Sequence, residues 1–247
     1  MNETIRSQLN HRTIREFTQE KISEQTLNQL LEVANSTASS THLQSYSMIR
    51  IVESELKQAI SEIAKQEYLA RVPELIIFIV DQYRNHQIGK EQGVDLEATS
   101  DMNTFTQGFT DACLAAQNLV IAAESLGLGT VYFGSILNDV PKLIQLLDLP
   151  QLTFPVVGVG LGFANQSPQL KPRLPIGTKF FTDKYEKKKD YLDLIKEYDQ
   201  ILNQYYDLRD TNNRVDTFRD QVVTKLRTSN PKRSQIVKHI QSQGFKI

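Results

Sequence analysis

The amino-acid sequence predicts an α+β domain, and three stretches carry that prediction. Leu75 to Val80 is a short, unbroken, β-branched apolar run, the pattern of a strand covered on both faces. Thr106 to Leu126 reads as a long alanine-rich helix, apolar on most sides, which belongs in the middle of a fold. Phe154 to Phe163 reads as a strand with Gly158, Gly160 and Gly162 on one side and mostly valine and leucine on the other. Glycines at alternate positions let another backbone or a ligand come close.

The other elements follow in chain order. Residues 2–10 read as a short helix leading into a basic stretch. Ser23 is the expected N-cap of a second helix, with Leu27, Leu30, Leu31 and Ala34 on one face. The polar run Asn35 to Thr41 is loop, and Tyr46 to Val52 is a strand. Ser54 is expected to cap a helix that turns Leu56, Ala59, Ile60 and Ile63 inward. Residues 84–103 are polar without clear period and read as a mobile excursion or lid. Gly127 and Gly129 stop the long helix, and Thr130 to Phe133 begins a further strand. Asp139 opens a helix with Val140, Leu143, Ile144 and Leu147 on its apolar face. After Asp190 the character changes: Tyr191, Leu194, Ile195, Tyr198, Ile201, Leu202, Tyr205 and Tyr206 mark an aromatic amphipathic helix. Nothing obvious in the chain is left to cover it, so a partner subunit is the natural cover. Helices around Phe218 to Leu226 and Pro231 to Gln243 complete a single domain over residues 1–247, of which about 190–247 form a helical arm.

A chain of 247 residues can bury a sizeable core. A formal net charge of -1 argues against a nucleic-acid binder, which needs a basic excess. The one cysteine, Cys113, excludes an intramolecular disulfide and leaves no metal-ligand cluster; its small-residue helix suggests a packed thiol rather than a nucleophile. The polar start Met1-Asn2-Glu3-Thr4 lacks the apolar core of a signal peptide. The run Ala112 to Leu128 is interrupted by Gln117, Asn118 and Glu124 and makes a poor membrane span. A cytoplasmic setting with no membrane partner is expected.

The chemistry concentrates in His11-Arg12-Thr13-Ile14-Arg15. Arginine forks hold phosphate oxygens bidentately, and the Thr13 hydroxyl suits the same group. A helical or turn-like backbone would aim Arg12 and Arg15 to one side; the alternative is plain charge complementing a helix C-terminus. A second basic pair, Lys171-Pro172-Arg173, follows the glycine-rich strand, and two such clusters can converge on one phosphate. Gly158-Val159-Gly160-Leu161-Gly162 imitates a dinucleotide fingerprint, but Asn165-Gln166-Ser167-Pro168 and Lys171-Pro172-Arg173 follow where a helix must begin, so a Rossmann site is rejected. A phosphate-binding P-loop, a serine elbow and a zinc-binding histidine pair are also missing. What remains is a cationic cradle beside glycine-rich backbone, suited to a cofactor that brings its own reactivity.

The sequence resembles the flavin-dependent nitroreductase family, in particular its NADPH-preferring, oxygen-insensitive nitroreductase and flavin reductase branch. The resemblance lies in His11-Arg12-Thr13-Ile14-Arg15-Glu16-Phe17, Ser39-Ser40-Thr41-His42-Leu43-Gln44, Gly127-Leu128-Gly129-Thr130-Val131-Tyr132-Phe133-Gly134, Lys171-Pro172-Arg173-Leu174-Pro175 and Asn212-Asn213-Arg214. These occur in the family's order and at its spacing over nearly the whole chain. The resemblance implies a nitroreductase-like fold, a central, mostly antiparallel sheet flanked by helices, with the C-terminal helical arm serving a homodimer that binds FMN at its subunit interface.

The resemblance also implies roles. Arg12, Thr13, Lys171 and Arg173 would hold the FMN phosphate and ribityl chain, with His11 supporting the same loop. Arg15 would face the flavin's pyrimidine edge, where a fixed positive charge favours two-electron chemistry. Ser39, Ser40 and Gln44 would reach FMN from the other subunit. Gln66 would bond the pyrimidine ring, though its surroundings align only with a one-residue gap. Tyr132, Phe133, Gly134 and Ser135 match the segment whose backbone amide approaches the flavin; core packing is the alternative for the two aromatic residues. Arg209 and Arg214 would take the 2′-phosphate of NADPH. Thr13 stands where serine is commoner, Ser135 where a second glycine is frequent, and Phe218 where tryptophan is usual. The implied activity is ping-pong hydride transfer from NADPH through FMN to nitroaromatics, quinones or free flavin. The rivals are a reductase with a dedicated physiological acceptor such as a disulfide, and a flavin-binding module without turnover. His42, His86 and His239 are given no role.

Overall fold

The structure is a computed structural model that describes residues 1–209 and 216–247, without the side chains of 206–209. The described residues fall into two compact units, Met1–Pro168 with Pro231–Ile247, and Gln169–Asn230.

The first unit begins with α1 (Glu3–Leu9), capped by the Asn2 side chain on the Ile5 amide at 3.0 Å. Next comes α2 (Glu24–Asn35), where the Ser23 hydroxyl accepts from the Thr26 amide at 3.0 Å, as the capping pattern predicts. Strand β1 (Tyr46–Ile51) leads to α3 (Ser54–Ala64), whose cap position is Glu53 rather than Ser54, and no side chain closes it. Strand β2 (Glu74–Asp81) is followed by α4 (Tyr83–Glu91) and then by a 3-10 turn, Glu97–Ser100. The segment expected as a mobile excursion is therefore largely helical. Its polar composition hid the period, since only Gly89 of α4 is buried. The long helix α5 (Met102–Ser125) ends at Gly127, which adopts a left-handed φ of 77°. Strand β3 (Gly129–Phe133), α6 (Val140–Leu146) and β4 (Thr153–Gly162) follow.

The four strands form one sheet in the order β1-β2-β4-β3, every neighbouring pair antiparallel. The expected antiparallel sheet flanked by helices is present. α5 lies in the core, with Ala112, Ala115, Ala116, Leu119, Val120 and Ala123 all buried. Cys113 sits on the opposite side and is exposed, so the thiol is not packed as expected; partial burial still pushes its pKa up.

The glycine row of β4 serves the core. A Cβ on Gly160 would meet Phe133 Cε2 at 2.9 Å, Val72 at 3.0 Å and Val131 at 3.1 Å. The close neighbours are therefore the protein's own side chains, and no helix begins after Gly162. Residues 231–247 complete this unit: the helix Ile236–Ser242 buries Ile240, Phe245 packs edge-on against Phe105 at 4.9 Å, and Lys232 pairs with Asp139. That pairing holds the Asp139 carboxyl below its ordinary range.

The second unit carries α7 (Tyr191–Leu194), α8 (Lys196–Arg209) and α9 (Phe218–Leu226); α10 (Ile236–Ser242) then belongs to the first. The single aromatic helix expected from Tyr191 to Tyr206 is broken at Ile195. Part of its apolar face finds cover in its own unit: the Tyr198 ring meets Phe218 at 5.6 Å, and Asp199 accepts from Arg219 Nε at 2.5 Å. Tyr191, Leu192 and Ile201 stay exposed. No helix of the described residues is long and apolar enough to cross a membrane.

A Gly160→Val substitution should force a branched side chain into the Phe133 pocket and cost about 1–3 kcal/mol of stability. Urea unfolding checks this; an unchanged midpoint would mean that the β4 glycines are not packing positions.

Candidate functional site

The basic stretch is extended, not helical. Thr13 forms a parallel bridge with Thr130 of β3, Phe17 an antiparallel one with Ala164, and the Ile14 amide donates to the Thr130 carbonyl at 2.8 Å. Further on, the Thr18 amide donates to the Phe163 carbonyl at 2.9 Å. The stretch thus lies along the free edge of β3, whose unpaired backbone groups need such a partner.

Gly129 fixes its seat. A Cβ there would meet three atoms of Ile14 at 2.7–2.9 Å, so the isoleucine occupies the space of the missing side chain and is only 7% exposed. With Ile14 turned inward, Arg12 remains exposed and Thr13 and Arg15 half-buried. On one side of this seat His11, Arg12, Glu124, Gly127, Gln166 and Ser167 are among the residues lining an open pocket of about 260 Å³.

Arg15 belongs to a different group of contacts. Its guanidinium lies over the Tyr68 ring at 6.0 Å, near the outer limit of a cation–π contact. Tyr68 meets Phe133 at 5.7 Å. Gly134 follows with open space where a Cβ would be, and the next residue, Ser135, donates its hydroxyl to Gln66 Oε1 at 2.8 Å. Arg15, Gln66, Phe133, Gly134 and Ser135 are therefore brought together around Tyr68, which sequence reasoning passed over. Tyr132 faces α5 instead, donating to Gln117 Oε1 at 3.0 Å. Burial, then the nearby Glu124 and Cys113, push its phenol pKa well up, so it stays neutral.

Ser39, Ser40 and Gln44 sit in a tightly held loop. Thr41, His42 and Gln44 have left-handed φ values of 49°, 59° and 48°, a conformation costly for residues other than glycine. The loop is fastened from two helices. The Ser40 amide donates to Asp111 Oδ1 of α5 at 3.1 Å, and Arg84 of α4 donates to the Gln44 carbonyl. The Ser39 hydroxyl accepts from the Gln44 amide at 2.8 Å. In the second unit Lys171 and Arg173 are exposed, and Arg173 donates to the Lys171 carbonyl at 3.2 Å. The side chain of Arg209 and the whole of Arg214, with Asn212 and Asn213, lie outside the described residues.

Glu124 was also missed as a functional candidate. Its Oε1 accepts from His11 Nδ1 and from the Thr130 hydroxyl, each at 2.6 Å. The available signal was its charge, the only one between Ala112 and Leu128.

Comparison with known proteins decides the family. Residues 9–163 match the Nitroreductase family, and residues 171–247 match the Nitroreductase family, C-terminal domain. The chain belongs to the nitroreductase family. It is 35% identical over 242 residues to the NADPH-dependent oxidoreductase of Staphylococcus saprophyticus, covering 96% of this chain and 95% of that one. Among solved structures, NfrA2 of B. megaterium is 32% identical at a TM-score of 0.93, over 100% of this chain and 99% of the other. The NADPH:FMN oxidoreductase from Vibrio harveyi, complexed with NAD+, is 31% identical at a TM-score of 0.87, over 99% of both chains. The protein is thus a nitroreductase-family enzyme of the nitroreductase and flavin reductase branch expected from the sequence.

In this nitroreductase-family enzyme a Gly129→Ala substitution should push Ile14 out of its seat and destabilise the fold by about 1–3 kcal/mol. Adding Ile14→Ala should recover part of that loss rather than add to it, because the two changes share one space. Chemical unfolding of the single and double variants reads the coupling; simple additivity would separate the two residues.

Proposed function

We propose that this enzyme is a homodimeric, cytoplasmic FMN-dependent oxidoreductase that passes two electrons from NADPH to nitroaromatics, quinones or free flavin in a ping-pong cycle. The observation that carries the proposal is the pinned basic stretch: Arg12 lines one pocket, Thr13 is bridged to β3 beside it in sequence, and Arg15 lies over the ring of Tyr68, two residues along from the Gln66 that bonds Ser135. The residues fit FMN. A guanidinium and a hydroxyl suit a phosphate, and a second guanidinium with an amide and a hydroxyl suits the polar edge of a pyrimidine ring. The relatives' names, NADPH-dependent oxidoreductase and NADPH:FMN oxidoreductase, support the same donor and cofactor.

When bound, FMN supplies the two-electron redox chemistry. The chain's residues bind and polarise it. Arg12 and Thr13, with Lys171 and Arg173, hold the phosphate and ribityl chain, and His11 steadies the stretch. Arg15 sets a fixed positive charge where negative charge gathers on reduction. Gln66 and Ser135 bond the ring's polar edge, and the Tyr132-Phe133-Gly134 backbone approaches the ring where Gly134 leaves room. Ser39, Ser40 and Gln44 serve the FMN of the other subunit, which is consistent with three left-handed residues being kept within one loop. Arg209 and Arg214 take the NADPH 2′-phosphate. The whole chain works as one FMN-binding domain whose helical extension joins the dimer.

Protein loaded with FMN should oxidise NADPH when a quinone is added. Arg15→Ala should lower the turnover on the order of tenfold to a hundredfold and more than His11→Ala does. Steady-state kinetics decide: no NADPH oxidation ends the proposal, and a larger defect in His11→Ala removes the role given to Arg15.

A further inference from the structure

We propose that Glu124 is a positioning residue that sets Arg12 and Thr13 for the phosphate of the cofactor; the inference rests on the FMN reading above. Four residues close a ring. The Glu124 carboxylate accepts from His11 Nδ1 at 2.6 Å and from the Thr130 hydroxyl at 2.6 Å. The Thr130 backbone carbonyl accepts the Ile14 amide at 2.8 Å. The chain from His11 to Ile14 completes the circuit, so Arg12 and Thr13 are bracketed by residues fastened to the same place.

The chain turn at the end of α5 makes this possible. The Gly127 amide donates to the Glu124 carbonyl at 3.0 Å and the Leu128 amide to the Ala123 carbonyl at 3.0 Å, the paired bonds that fold a chain back over a helix end. Thr130, six residues after Glu124, thereby returns beneath its carboxylate. Both acceptor contacts run to one oxygen of a side chain that is only 13% exposed, while the His11 side chain is 28% exposed. A carboxylate accepts only, so Nδ1 must carry the proton, which fixes the histidine's hydrogen-bonding roles and ring orientation. Thr130 is fully buried, and without Glu124 its hydroxyl would lose this partner.

The sign of the charge separates positioning from attraction. A carboxylate near a phosphate repels it, so a residue present for electrostatics would not be acidic. Orientation needs only an acceptor oxygen, which glutamine also provides.

The test compares FMN with riboflavin, which lacks the phosphate, by fluorescence titration of the full-length protein freed of flavin. Wild type should prefer FMN. Glu124→Ala should weaken FMN roughly tenfold, the equivalent of one charge-assisted hydrogen bond, and leave riboflavin unchanged. Glu124→Gln should bind FMN at least as tightly as wild type. His11→Ala keeps the Thr130–Glu124 contact and should reproduce the loss; adding Glu124→Ala to it should cost little more. Equal losses for FMN and riboflavin, a Glu124→Gln as impaired as the alanine variant, or additive losses in the double variant would overturn the inference. A wild type that does not distinguish FMN from riboflavin removes the phosphate cradle itself. A discriminating wild type with an indifferent Glu124→Ala removes only the role of Glu124.

Discussion

The candidate site depends on one contact, Ile14 seated in the space left by Gly129. Arginines near a chain terminus ordinarily wander in solvent, and ordering a long side chain costs rotamer freedom. Here a buried apolar residue in the middle of the basic stretch supplies the anchoring that the charges cannot. Burial of Ile14 is worth about 1.5–3 kcal/mol on ordinary transfer values, and the backbone bond to Thr130 sets the register. Once Ile14 points inward, extended geometry turns Thr13 and Arg15 to the opposite face and leaves Arg12, two positions back, on the side of Ile14 where the pocket opens, so one packing contact determines where all three can act.

The same economy recurs elsewhere in the first unit. β4 gives up side chains at Gly158 and Gly160 so that Phe133 can be buried, and Phe133 in turn carries Gly134 and Ser135 to Gln66. Tyr68 stands between Phe133 and Arg15 and joins the packing of the sheet to the guanidinium. The loop with Ser39 and Gln44 is held differently, by hydrogen bonds from α4 and α5 that offset its backbone strain. One buried atom there, Asp111 Oδ2, has no hydrogen-bond partner, so this loop is the costlier of the two arrangements.

Much of the fold was legible because burial leaves local marks. The unbroken apolar run of β2, the alanine-rich α5 and the cap of α2 each show in the residues themselves. Helix α4 did not, because with Gly89 as its only buried residue it has no apolar period to read. The conformation of residues 11–15 was not legible either: its partner is Thr130, more than a hundred positions away, and the spacing of Arg12 and Arg15 suits a helical or turn-like backbone without choosing one. Left-handed backbone at Thr41, His42 and Gln44 carries no glycine to announce it. Arg15, Gln66, Phe133 and Ser135 could each be singled out from sequence, but not the ring of Tyr68 that brings them into one neighbourhood. Glu124 was visible only as the one charge in the apolar run from Ala112 to Leu128.

The most direct test is a crystal structure of the protein loaded with FMN. The expected result is a phosphate bonded to Arg12 and Thr13, the flavin's pyrimidine edge against Arg15, and Ile14 still seated on Gly129. A flavin bound elsewhere, or a basic stretch lifted from β3 with its arginines in solvent, would contradict it.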